Sequence, residues 1–422
     1  MVTDDDLHYM RLRFTEYAET DSQSDPDKAD RGIMPSTDGQ TRLAQLLSTE
    51  LTTYGLTDNT VDQNGYLRAV IPASKGMESV PPFGLCAHLD TASDAPGTNV
   101  KALHHTNWDG SPITLPSGLV LDPATDPELA ACVGHTIITS DGTTLLGADD
   151  KAGIAAIMAL TLKLLKNPSI PHGPIEILFT PDEETGHGMD KVPLDRLISK
   201  AFYTVDGGAV GEIEAECFNA WKCQLTFTGK AAHLGSARGK MISAVSMASF
   251  FVSSLPPQES PETTDGYEGY FCPLEISGTV ENAHCTVFLR DFETEGMNRR
   301  LERIDALAEA VRARFPGGTV TLEKTRQYLN MKDKLRAEPH VLERLEKAAT
   351  RAGVAVIKKP IRGGTDGSRL TEMGIPTPNI FTGGHNYHSR SEWASIEQMG
   401  KTVETLIQLA IIWGEDHVQV QN

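Results

Sequence analysis

Thr180–Gly188 reads TPDEETGHG and directly follows the apolar run Ile175–Phe179. Such a run ending in an acidic, glycine-containing turn predicts a buried strand that delivers carboxylates to its C-terminal edge. Open α/β sheets place their chemistry at that edge. Glu183 and Glu184 are adjacent, and neighbouring carboxylates repel unless a cation or a shared proton compensates. A division of labour resolves this, with one carboxylate on a metal and the other moving a proton. Taken alone, the turn reads better as a solvated acidic loop, so the rest of the chain has to decide.

Outward from this stretch, the first half alternates helical and extended patterns. Leu43, Leu46, Leu47 and Leu51 recur at helical spacing with Gly55 as the stop, and Asp149–Lys166 carries Ile154, Ile157, Met158, Leu162 and Leu165 on a very apolar helix. Phe83–Ala87 and Phe202–Val205 are further buried-strand candidates, ending at His88 and Asp90 and at Asp206. This order implies a largely parallel sheet with covered faces. Near Cys217 the texture changes: Trp221, Cys223, Leu225 and Phe227 alternate with polar residues, as in a half-exposed antiparallel strand. A helix over 241–255, a loop over 256–273, a strand over 285–292 and a helix over 298–314 follow. The last ninety or so residues return to the first texture, with a helix over 340–352 stopped by Gly353 and a capping box at Ser395 and Gln398 opening a final helix through Trp413. The expected fold class is therefore α/β: a mostly parallel-sheet catalytic domain with helices on both faces, built from 1–216 and 331–422, plus an inserted smaller α+β domain at 217–330.

Bulk properties narrow the function. The chain has 422 residues, ordinary hydrophobic and charged contents of 39% and 23%, and a net charge of −19 from 38 basic and 57 acidic residues. That balance argues against nucleic acid or an anionic membrane as partner and suits a protein that collects cations. No run approaches the roughly 18 apolar residues of a membrane span. The six cysteines show no CxxC spacing, and the acidic start MVTDDDLHYMRLRF lacks an apolar signal region, so a reduced, cytoplasmic protein is expected.

Five segments present metal-type ligands at strand ends or in Gly-rich loops: His88 and Asp90 in AHLDTASD, Asp149 in GADDKAG, Glu183 and Glu184 in TPDEETG, Asp206 in TVDGG, and His388 in NYHSRSEW. Two imidazoles with several carboxylates form a borderline N/O set suited to Zn²⁺, Co²⁺ or Mn²⁺. No single loop supplies the oxygens of a calcium cage. Two metals about 3.5–4 Å apart could hold both a nucleophile and a polarised carbonyl. Each member has an ordinary explanation in isolation: a hydrogen-bonded HxD, a helix cap at Asp149-Asp150, a turn at Asp206, an exposed loop histidine. The argument rests on their occurring together and in order.

That order, HLDT, LLGADDKAG, FTPDEETGHG, YTVDGG and a distal NYHSRSE, resembles the co-catalytic zinc aminoacylase/carboxypeptidase superfamily. SPETTDGYEGYF, FLRDFE, PIRGGTDG and PNIFTGGHNYH extend the likeness to its tripeptide aminopeptidases, over nearly the whole chain. The resemblance implies two Zn²⁺ per subunit, replaceable by Co²⁺ or Mn²⁺, with Asp149 bridging, His88 and Asp206 on one ion, and Glu184 and His388 on the other. It makes Glu183 the general base for a water between the ions, and Asp90 the acid that orients His88, a role metal-bound imidazoles also require on general grounds. His233, in GKAAHLGSARGK, matches the family's oxyanion donor, although Leu234 stands where the family has proline. Arg290 matches a family arginine and is the expected anchor for a peptide carboxylate, with Arg362 as a second candidate. Implied partners are short unblocked peptides, with release of the N-terminal residue from tripeptides, and a homodimer could form through the inserted domain. An anchor on one domain and metals on the other would make domain closure a length ruler. The acidic loops near Asp94 and Asp182 are the places expected to meet an α-amino group. A dipeptidase, carboxypeptidase or N-acyl amino-acid deacylase would use the same metals; a non-catalytic binding protein or a metal-stabilised structural protein would have no use for an intact Glu183.

Overall fold

Every residue of the strands Phe83–His88 and Ile175–Thr180 is buried, as strands covered on both faces must be. In the computed structural model, which describes the backbone of residues 1–421 and the side chains of residues 1–417, they lie inside an eight-stranded sheet. Its order is Asn59–Val61, Leu67–Ile71, Ile175–Thr180, Phe83–His88, Phe202–Gly207, Asn379–Phe381, Glu212–Glu214 and Ile357–Lys358. The four strands from Ile175–Thr180 to Asn379–Phe381 run parallel, whereas Leu67–Ile71 and Glu212–Glu214 pair antiparallel to them. The sheet is thus mixed around a parallel centre. The register sets His88 opposite Thr180 and Cys86 opposite Thr204, so the acidic turns leave the sheet at one edge and one level.

Alternate residues of these strands enter two different cores. Leu85, Ala87, Ile177, Phe179, Tyr203 and Val205 face the large cluster formed with the helices Asp4–Glu19, Ala148–Lys166, Pro339–Arg351 and Ile396–Gln421. Cys86, Leu178 and Phe202 face a thinner layer of Met189, Leu197 and Leu370, the last on the short helix Asp366–Glu372. The run 175–179 is not wholly apolar: Glu176 is fully buried and accepts hydrogen bonds from Arg68 Nε and from the amides of Ile198 and Ser199. A buried charge is tolerable only when paired in this way.

The chain divides into two units, Met1–Ala215 with Asp333–Lys359 and Thr365–Asn422, and Glu216–Lys332 with Pro360–Gly364. The single insertion at 217–330 expected from the sequence therefore gains a second, separate piece. Ile361 bridges to Cys217 and donates its amide to the Glu216 carbonyl, and Arg362 fastens to the 264–268 loop. These contacts hold Pro360–Gly364 in the smaller unit.

The smaller unit is α+β. Its antiparallel sheet has the order Tyr270–Gly278, Asn282–Asp291, Asn219–Thr228 and Thr319–Tyr328, and its core side packs on the helices Ala244–Ser253 and Thr294–Arg314. Asn219–Thr228 is an interior strand with Cys223, Leu225 and Phe227 buried. The loop expected over 256–273 ends early, because Tyr270–Pro273 joins the edge strand. The final helix opens with Ser395 Oγ accepting from the Gln398 amide, but the box is only half formed: the Gln398 side chain turns to His385 and Cys132 instead.

A further small sheet contains the hairpin Gly384–His385 and Trp393–Ser395, and its connecting loop carries His388. Among the described residues no helix is long and apolar enough to cross a membrane.

Candidate metal centre

Three parallel strands and one helix start converge on this edge. Phe83–His88 ends at His88, Ile175–Thr180 leads into the turn Glu183–Thr185, Phe202–Gly207 carries Asp206, and the helix Ala148–Lys166 opens with Asp149 and Asp150. The loop of the hairpin adds His388. His88 Nε2 lies 2.8 Å from Asp149 Oδ1 and 3.4 Å from Asp206 Oδ1. His388 Nε2 lies 3.3 Å from the other Asp149 oxygen, Oδ2, and 3.0 Å from Glu184 Oε2. The two imidazoles thus address opposite oxygens of one carboxylate. His88 is shared by two groups close enough to hold an ion, one with Asp150 and Asp206 and one with Asp149 and Glu184.

Asp90 acts differently from the expectation. The His88 Nδ1 partner is the Asp90 backbone carbonyl at 3.0 Å, and the Asp90 carboxylate is 3.5 Å away. Donation to that carbonyl fixes the ring so that Nε2 faces the Asp149 carboxylate. The Asp90 carboxylate instead accepts the amides of Glu183 and Glu184 at 3.0 and 3.1 Å, so it holds the turn that presents both glutamates. His388 sits in a left-handed conformation at φ 59°, two residues after Asn386 at φ 56°. Non-glycine residues adopt this region reluctantly. Ser389 Oγ donating to the Asn386 carbonyl and Asn386 Nδ2 donating to Asp126 hold the loop there.

Of the two acidic loops expected to meet an α-amino group, that of Asp182 is closed. Asp182 is fully buried and already accepts from the Ser36 amide and hydroxyl and from Gln40 Nε2. Asp94 is exposed and lies 3.3 Å from His388 Nδ1, where it orients that ring. Sequence reading gave Asp150 only as part of a helix cap and passed over Glu392 and Asp366. Asp150 is buried and accepts the His88 amide at 3.1 Å; Asp366 is buried and accepts from the Thr180 hydroxyl. Asp150 stood in plain sight beside Asp149, and Asp366 within the GGTDG motif, but only the fold aims them at this edge.

The electrostatics is that of carboxylates crowded without compensation. Burial, then the neighbouring acids, pushes Glu183 and Asp150 well above the usual carboxylate range, and Glu184 to about 7. Asp206 is likewise pushed to about 7 by burial and Asp149. Asp149 goes the other way: burial opposes ionisation, yet hydrogen bonds from His388 and His88 hold it below the usual range. Hydrogen bonds to Asp149 and Glu184 raise His388 to about 11. One further atom suits a cation ligand: Glu184 Oε1 is buried with no hydrogen-bond partner. Imidazole nitrogens, a shared carboxylate and an orphaned carboxylate oxygen fit divalent metal ions of the zinc, cobalt and manganese class.

The sequence matches peptidase family M20/M25/M40 over residues 145–411. The chain belongs to the M20/M25/M40 peptidase family. Peptidase T of Clostridium perfringens SM101 is 44% identical to it over 403 residues, 96% of this chain and 98% of that protein. Peptidase T of Geobacillus thermodenitrificans is 44% identical over 399 residues, 94% and 96% of the two chains. Among solved structures, aminopeptidase PepT from Bacillus cereus aligns at TM-score 0.73 with 24% identity, covering 96% of this chain and 98% of its own. A dinuclear metal-binding M20 peptidase from Bacillus subtilis aligns at TM-score 0.67 with 16% identity, covering 98% and 99%, and so shares the fold. This M20/M25/M40 peptidase is accordingly a hydrolase.

The remaining expected residues of this M20/M25/M40 peptidase belong to the smaller unit. His233 is exposed and begins the single turn Leu234–Ser236. Arg290 is 8% exposed, donates through Nη1 to the carbonyls of Leu289 and Trp221, and lies over the rings of Phe288 and Tyr328. Arg362 is a correction to the expected pair of anchors. Its Nη atoms donate to the carbonyls of Thr264, Gly266 and Glu268 and to the Thr264 hydroxyl, which commits its fork to the loop.

Proposed function

We propose that this chain is a cytoplasmic metallo-aminopeptidase that releases the N-terminal residue of unblocked tripeptides, using two divalent ions, zinc by preference. The observation that carries the reading is the address of two Nε2 atoms to the two oxygens of Asp149, with Glu183 and Glu184 on the adjoining turn. The names of the relatives support the substrate class: peptidase T in the curated proteins, and an aminopeptidase and a tripeptidase among the solved structures.

In this reading Asp149, His88 and Asp206 would hold one ion, and Asp149, Glu184 and His388 the other. Ions so held would acidify a water and polarise the scissile carbonyl. Glu183, whose carboxyl burial keeps proton-hungry, takes the proton of the attacking water and returns it to the leaving amine. Asp90 keeps that glutamate in place through its backbone amide. His233 is the proposed donor to the developing oxyanion, and Arg290 the proposed anchor for the peptide carboxylate. The test is hydrolysis of an unblocked tripeptide by zinc-loaded wild type and Glu183→Ala, with metal content measured. We expect release of the N-terminal residue by wild type and a loss of about 10²–10⁴-fold or more in the variant at unchanged metal content. An active variant removes Glu183 as base, and cleavage of only blocked or dipeptide substrates removes the aminopeptidase reading.

A further inference from the structure

The helix Ala148–Lys166 opens irregularly: Asp149 and Asp150 have non-helical backbone angles, and Asp150 Oδ1 caps the regular turns by accepting the Gly153 amide at 3.2 Å. The segment leading into it has no such acceptor of its own, because Gly147 is left-handed and has no side chain. Buried amides left without acceptors are costly. Glu392, 1% exposed and distant in sequence, supplies the acceptors. Its Oε2 accepts the amides of Leu146 and Gly147 at 2.7 and 2.8 Å, and its Oε1 accepts the amide of Asp149 at 3.1 Å. A carboxylate at a helix N-terminus is also favoured by the helix dipole.

Glu392 sits in the same seven-residue loop as His388. Its amide donates to the Ser389 carbonyl at 3.3 Å, and the next residue, Trp393, is paired in register with both His385 and Thr139. The backbone of Glu392 is therefore pinned on the His388 side, while its carboxylate grips the Asp149 side. No other side chain among the described residues is recorded as hydrogen-bonded to the amides of both Gly147 and Asp149.

We propose that Glu392 is a positioning residue that sets the separation between the loop bearing Asp149 and the loop bearing His388, and through it the geometry of the ion pair. The inference rests on the two-ion reading above. Glutamine is nearly isosteric but carries one acceptor oxygen, and its NH₂ would face either the Asp149 amide or the amides of Leu146 and Gly147. One side of the grip must then be lost. Aspartate keeps the charge on a stem one methylene shorter.

The test uses the full chain with Mn²⁺ as probe, read by electron paramagnetic resonance of the paired ions, by binding titration, and by kcat and KM on a tripeptide. Glu176→Gln is the control, since Glu176 is an equally buried carboxylate that accepts two backbone amides and Arg68 away from the centre. For Glu392→Gln we expect altered or lost coupling between the ions, Mn²⁺ affinity reduced about 10–100-fold, and a kcat loss at nearly constant KM. Glu392→Asp should recover part of each. Glu176→Gln should lower thermal stability and leave the spectrum as in wild type. Wild-type coupling and affinity in Glu392→Gln would overturn the proposal and leave Glu392 a structural residue only. If Glu392→Gln does not fold, Glu392→Asp decides by the same spectrum. A wild type that binds a single, uncoupled ion would instead overturn the two-ion reading and this proposal with it.

Discussion

His88 and Asp90 show how a short motif divides its labour once it is folded. The side chain of Asp90 serves the amides of Glu183 and Glu184, and its carbonyl serves His88. HxD spacing alone suggests the reverse assignment, because side chain and main chain are equally near in sequence. The two arginines separate by the same kind of accounting. Arg362 spends its fork on four loop acceptors, whereas Arg290 makes two carbonyl contacts beside two aromatic rings. Arg290→Ala should therefore raise KM for free-carboxylate tripeptides about 10–100-fold, the worth of a hydrogen bond to a charged group. Arg362→Ala should lower the melting temperature and leave KM close to wild type. Equal KM effects in the two variants would remove the distinction.

At the scale of elements, the helix Ala148–Lys166 is the piece on which the centre depends. It packs so closely on the strand Phe202–Gly207 that a Cβ on Gly153 would stand 1.8 Å from the Val205 carbonyl oxygen and 2.3 Å from Asp150 Oδ1. Propensity alone would favour alanine in mid-helix by about 1 kcal/mol. Contact wins here, because neither a strand carbonyl nor a packed carboxylate can retreat. Gly153→Ala should destabilise by about 1–3 kcal/mol, read as a lower urea midpoint at unchanged slope, and should weaken metal binding by displacing Asp150. A stabilised variant would show that propensity prevails. The smaller unit gives an element-scale lesson as well. Strand Thr319–Tyr328 buries only Val320, so it shows no apolar run like those of the larger sheet, and the edge strand Tyr270–Gly278 begins inside what reads as a Pro- and Glu-rich loop.

For the whole molecule, the centre is a store of repulsion that cations relieve. Without metal, Glu184 and Asp206 have folded-state pKa values of about 7, against ordinary values of 4.5 and 3.8. A carboxylate raised in this way binds more protons folded than unfolded, so its stabilising contribution is full below the ordinary value and is lost as pH rises toward 7. His388, raised to about 11, has the same sign: its contribution is present below 6.5 and declines above it. Asp149, held low, contributes stability that is lost only below its ordinary value of 3.8, so it adds no slope in this range. Chelated protein should thus lose thermal stability from about pH 5 to about pH 8, and zinc should restore it by binding the folded state, with a gap that widens with pH. Scanning fluorimetry with and without chelator checks this; a gap that narrows as pH rises would contradict it.

Much of this was legible in the chain itself. Strands at 83, 175 and 202 and the helix after Gly147 follow from local patterns, because buried parallel strands and helix starts are written in short apolar runs and the turns after them; His88, Asp149, Glu183, Glu184, Asp206 and His388 stood out as candidates only through their joint order along the chain. The mixed outer sheet, the return of Pro360–Gly364 to the smaller unit, and the functions of Asp150, Asp182, Arg362 and Glu392 are not local. Each depends on which distant amides and carbonyls are left needing a partner once the sheet has formed, and hydrogen-bond satisfaction of that kind exists only in three dimensions. The sequence by itself determined which side chains could do the chemistry; the tertiary structure alone decided which of them face each other and which are consumed in holding the rest in place.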